Sequence, residues 1–232
     1  MDGMTVDTNA VSHSQQLRAA LATSGLPLTL MYSEFWGNDR VGELVVPFLV
    51  LMHQVVRASV PLMEAASAKA AETAPRDPLA ARLQAYMDAH IEEERHHDTW
   101  IMEDLESAGL DRDSLLAQTP DSQVAALVGA QYYWIYHHHP IALLGYIRLL
   151  EGKPPSAGHI ERLRQVSGLP ESTFRTYQLH GELDPDHLQE FDTLLDALDL
   201  NQEQFELVRQ SAVYTAHQLA NCLGTLIKRN SE

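Results

Sequence analysis

The chain has 232 residues, 45% of them apolar, and a formal charge of −16 with histidine neutral. That much apolar side chain supports one helical domain with its own core. So large an acidic excess excludes a basic nucleic-acid-binding face and is repelled by an anionic membrane surface.

Residues 1 to 11 are polar and patternless and are expected to form a loose tail, leaving residues 12 to 232 as the domain. Met1-Asp2-Gly3 has neither the basic start nor the apolar stretch of a signal peptide. A short helix is expected from Ser14 to Ser24, stopped at Gly25. A long apolar pattern runs from Val41 to about Ala71, with Pro47 near its start and a kink expected at Pro61. Its best unbroken apolar run, Leu44 to Met52, falls short of the roughly 18 residues of a bilayer span. Asp77-Pro78 reads as an N-cap and first-turn proline, opening a helix expected to reach Ser107 and end at Gly109. Asp111 to Gln118 is a connector or short helix. Thr119-Pro120 opens a helix expected to run to Leu150 or Glu151, bent at Pro140 and stopped by Gly152.

Lys153-Pro154-Pro155-Ser156 is a break. A short helix spans Ala157 to Val166, and another runs from near Ser172 to near Leu198. Asn201 caps a last helix to Lys228, which holds the single cysteine, Cys222, in an apolar setting that suits an inert buried thiol. One cysteine excludes an intrachain disulfide and fits a cytoplasmic protein. No β-branched alternation lasts more than a few residues. The fold class is an all-α, single-domain bundle of about seven or eight helices.

Three stretches carry metal-ligand side chains. On a helix turning about 100° per residue, His90, Glu93, Glu94 and His97 share one face, and His96 points away. His180, Asp184 and His187 fall within about 60° of one another on a second helix. Glu151 shares the apolar stripe of a third, where a carboxylate is costly unless paired or metal-bound. Each stretch alone has a plainer reading, as an acidic surface, satisfied core histidines or a polar helix end. Together, on three helices, they form the donor pattern of carboxylate-bridged metal sites in helical bundles. Imidazole and carboxylate suit non-haem iron, with manganese as the alternative. Tyr132, Tyr133, Trp134 and Tyr136 read as core packing, with a pocket wall as the alternative. His137-His138-His139 point in three directions and read as surface. Gly181 and Pro185 make the helix of the third stretch locally weak.

The chain resembles the haem-oxygenase-like di-metal oxidases, a family of iron-containing redox enzymes. Glu94-x2-His97, Glu151 and His180-x3-Asp184-x2-His187 match its pattern in order and spacing. The words around them, His97-Asp98-x-Trp100-Ile101-x2-Asp104-Leu105 and His139-Pro140-x-Ala142-Leu143-Leu144-Gly145-Tyr146, match too, and the likeness covers about residues 40 to 230. The resemblance implies the ligand set Glu94, His97, Glu151, His180, Asp184 and His187, with Glu93 competing with Glu94 and His90 in reach. It implies two Fe(II) ions per chain, with Glu151 bridging them. It also implies O2 and a small organic molecule as reactants, and a homodimer; the acidic charge already speaks against nucleic acid and membrane as partners. The same fold serves TenA-like proteins, so a metal-free hydrolase using Cys222 and a non-catalytic metal-binding protein are the alternatives.

Overall fold

The computed structural model describes residues 11–152 and 156–230, and the side chains of 182–187 lie outside that description. Within it the chain is all α-helical with no strand, as expected. It has twelve α-helices where seven or eight were expected, because three of the long ones are broken and one, over Leu26–Gly37, was not expected. The expected tail falls almost wholly outside the described residues, as does Lys153-Pro154-Pro155.

Helix α1 (His13–Ser24) opens with a capping box at Ser12 and stops at Gly25 as expected. Helix α2 (Leu26–Gly37) was not expected: its sequence has no polar face to give it a period, and Leu26 and Leu30 remain exposed.

The apolar pattern from Val41 divides into α3 (Val41–Val56) and α4 (Ser59–Thr73). The division falls just before Pro61, which therefore lies in the first turn of α4, where its missing N–H leaves no intrahelical bond unmade. Counting strict apolar runs underrated this region: taken together, Val41–Thr73 is long and apolar enough to cross a membrane by length and composition. Here it is a core element, with Leu44, Val45, Phe48, Leu49, Val55, Leu62 and Met63 buried.

The helix opened by Asp77-Pro78 is also two. Helix α5 (Pro78–Glu94) is capped by Asp77, and α6 (His97–Ser107) follows a sharp elbow at Arg95-His96. His96 adopts the left-handed conformation at φ 77°. No glycine or proline marks this elbow, which is why the sequence reads through it. Histidine is among the few non-glycine residues that enter that region with any frequency.

After α7 (Arg112–Leu116), α8 (Ser122–His137) is capped by Asp121 rather than opened at Thr119-Pro120. Pro140 does more than bend the chain. It opens a 3-10 turn (Pro140–Ala142), and His139 Nδ1 accepts the Ile141 N–H at 3.1 Å. Helix α9 (Leu143–Leu150) then ends with Glu151 as its C-cap. Helix α10 (Ala157–Ser167) and a second 3-10 turn (Glu171–Phe174) lead to α11 (Arg175–Ala197) and α12 (Gln202–Arg229). Helix α11 continues through Gly181 and Pro185 without ending. A Cβ on Gly181 would meet nothing within 4 Å, so packing does not require a glycine there.

Helix α12 is the spine, packing on α9, α2, α8 and α1. Its approach to α9 needs Gly145, where a Cβ would overlap the Val208 carbonyl oxygen. That close packing seats the helix whose end carries Glu151.

Candidate metal centre

The elbow between α5 and α6 builds the site. Glu94 is the last residue of α5 and His97 the first of α6, and both turn inward at 8% and 2% exposure. Glu94 Oε2 lies 2.8 Å from His97 Nδ1. One turn back, His90 is buried with Nε2 2.6 Å from Glu151 Oε1 and Nδ1 3.2 Å from Glu93 Oε2. From α11, His180 meets His97 ring to ring at 4.7 Å, nearly perpendicular.

The sequence placed His97 on the His90 face by assuming one continuous helix. The elbow removes that premise, and His97 reaches the cluster because the chain turns. The choice between neighbouring glutamates is clear in space: Glu94 faces the cluster, while the Glu93 side chain is 47% exposed and meets the outer nitrogen of His90.

Two groups of donors each lie within 4.8 Å, one of Glu94, His97 and His180, the other of His90, Glu94 and Glu151. Glu94 belongs to both, so among the described donors it holds the shared place that the sequence reading gave to Glu151. The side chains of Asp184 and His187 lie outside the described residues. His90, a competing donor in the sequence reading, stands inside the second group.

Burial disfavours charge on His90, but the hydrogen bond and charge of Glu151, with Glu94 and Glu93, outweigh it and raise the pKa to about 9. Burial pushes Glu94 the other way, yet the bond to His97 and the charges of His97, His90 and His180 hold it below the ordinary carboxylate range.

Two observations fit the residues to a cation. Glu94 Oε1 is buried with no hydrogen-bond partner among the described residues, an open acceptor on a carboxylate. His180 donates Nδ1–H to the Thr176 carbonyl at 2.9 Å, the backbone bond that metal-ligating histidines use to fix their tautomer. Hard and borderline donors of this kind suit iron or manganese.

Aromatic rings wall the cluster. Tyr86 stacks on His90 at 5.2 Å and Trp100 lies on His97 at 4.2 Å. The sequence reading passed over Tyr86, though it stands one helical turn from His90. The aromatic run on α8 divides: Tyr132 and Trp134 pack against the core as expected, whereas Tyr133 and Tyr136 are 64% and 55% exposed and do not. Cys222 is buried, and burial raises its thiol pKa to about 12.

A family model described as iron-containing redox enzyme matches residues 47–218. The chain belongs to that family. Among curated proteins none matches it. The fold is shared with a domain of unknown function with a haem oxygenase-like fold from Shewanella denitrificans, at TM-score 0.72 and 16% identity over 94% of this chain and 90% of that one. It is also similar to a TenA homologue from Pseudomonas syringae, at 0.69 and 13% over 98% of each chain. A CADD-like protein of unknown function from Nostoc punctiforme matches at 0.65 and 16%, over 94% of this chain and 96% of that one. The haem-oxygenase-like fold expected from the sequence is thus the observed one.

Proposed function

We propose that this iron-containing redox protein is a non-haem di-iron oxidase or oxygenase that activates O2 to oxidise a small organic substrate. The observation that carries the reading is Glu94, a buried carboxylate common to two donor groups, with one oxygen unpartnered among the described residues. Bound iron would supply the redox chemistry towards O2, and manganese is the alternative ion for the same donors.

Glu94, His97 and His180 would hold one ion, and Glu94, Glu151 and His90 would surround the other. Asp184 and His187 complete the proposed set, with Glu93 outside it. His180 keeps its proton on Nδ1, which would leave Nε2 as the nitrogen to bind a metal. Tyr86 and Trp100 cover the imidazoles and exclude water from them. The acidic chain favours approach of cations over anions. We place the protein in the cytoplasm as a homodimer without nucleic-acid or membrane partners. A TenA-like hydrolase working through Cys222 is disfavoured by that thiol's burial and raised pKa.

Anaerobic Fe(II) titration followed by O2 exposure, read by absorption spectroscopy, tests the reading. About two irons per chain and a new absorption band after O2 support it. Absence of iron binding points to a metal-free protein, and iron that stays inert to O2 with candidate substrates points to a non-catalytic one.

A further inference from the structure

Helices α6 and α11 are joined at two rungs. His97 and Asp104 lie about two turns apart on one face of α6, and Thr176 and His180 about one turn apart on one face of α11. His97 meets His180, and Asp104 Oδ2 accepts the Thr176 N–H at 2.9 Å, so the helices run antiparallel. Ser107 Oγ and Thr173 Oγ1, 3.0 Å apart, extend the seam.

Asp104 is 1% exposed, and a carboxyl group so buried needs a partner. Burial raises its pKa to about 6, with the bonds to Thr176 pulling the other way. Its partner is a helix end. The first N–H groups of any helix lack acceptors within it, and Phe174, the N-cap of α11, offers no side-chain oxygen. Asp104 supplies that acceptor from α6, at the end of α11 where negative charge is favoured. The capped residue is also the one that orients a ligand, because the Thr176 carbonyl receives the His180 Nδ1–H.

We propose that Asp104 is a positioning residue of the metal centre: by gripping the backbone of Thr176 from α6, it fixes the carbonyl that sets the tautomer and direction of His180 against His97 and Glu94. This inference rests on the metal-centre reading above.

The experiment compares Asp104→Asn, which keeps an oxygen acceptor, with Asp104→Leu and Asp104→Ala, which do not. In metal-free protein, nitrogen-15 NMR of the His180 ring should report the Nδ1–H tautomer in the wild type and in Asp104→Asn. It should report a mixture of tautomers in Asp104→Leu. Anaerobic Co(II) titration should show about tenfold weaker binding in Asp104→Leu, the scale of losing an outer hydrogen-bond partner, with Asn near wild type. If the Leu variant does not fold, Asp104→Ala replaces it. A packing role would instead be rescued by Leu as well as by Asn. Wild-type tautomer and affinity in the folded Leu or Ala variant overturns the proposal, and so does full loss in a folded Asn variant. Failure of the wild type to bind Co(II) would sink the metal-centre reading, while the tautomer comparison would still decide the role of Asp104.

Discussion

The interior holds two buried polar clusters that differ in kind. Between α8 and α12, Gln131, Ser211 and Thr215 are wholly buried and satisfy one another: Ser211 donates to Gln131 Oε1 at 3.0 Å, and Gln131 Nε2 donates to Thr215 at 3.3 Å. All three side chains are neutral. Around the elbow, Glu94, Glu151, His90 and His97 are also buried but ionisable, and one Glu94 oxygen has no hydrogen-bond partner among the described residues. Polarity in a core therefore does not by itself mark a site. A closed neutral network locks two helices together, whereas surplus acceptor capacity among charged groups points to something that binds.

The largest expected effect tests that distinction directly. Glu94→Ala should take bound iron from about two per chain to below one, since it removes a donor common to both groups, whereas Glu151→Ala should leave about one. Elemental analysis after anaerobic loading measures this. The reverse ranking would restore the shared position to Glu151.

Next comes pH. The folded-state pKa of His90 is raised to about 9 from an ordinary value near 6.5. Its ion pairs therefore stabilise the metal-free protein fully below about pH 6.5, by up to about 3 kcal/mol, and that contribution is lost as pH rises through about 9. Thermal melts of metal-free protein from pH 6 to 10 should show the loss, and His90→Gln should flatten it. The neutral cluster on α8 and α12 contributes no such slope.

A smaller change is expected when the neutral network is opened. Gln131→Leu strands Ser211 and Thr215 and should cost about 2 kcal/mol in chemical denaturation, with iron stoichiometry unchanged. Altered metal binding there would erase the contrast between the clusters. Smallest of all, Cys222→Ala should cost about 1 kcal/mol for the cavity and leave iron binding and O2 reactivity intact. Abolished turnover in the folded variant would return the thiol to consideration as a nucleophile.

The sequence made the α12 spine and its Asn201 cap legible, along with the Asp77 and Gly25 punctuation, because capping chemistry and period are local signals. It also brought His90, Glu94, His97, Glu151 and His180 to one place in expectation, and the structure gathers them. The elbow after Glu94 was not legible, since it rests on a single left-handed histidine with no glycine or proline to mark the turn. The role of Asp104 was hidden for a different reason: capping a helix from another element is a tertiary contact with no spacing of its own in the chain.

The donors stand at helix ends, and this has an electrostatic consequence. Glu94 closes α5 and Glu151 is the C-cap of α9, so two carboxyl-terminal ends converge on the same point. Each such end bears roughly half a negative charge from its unpaired carbonyls, added to the carboxylates themselves. The amino-terminal end of α6, opened by His97, sets about half a positive charge beside them. The backbone's net contribution is therefore that of about one carboxyl-terminal end, added to two carboxylates, and it favours a cation over an anion before any ligand bond forms.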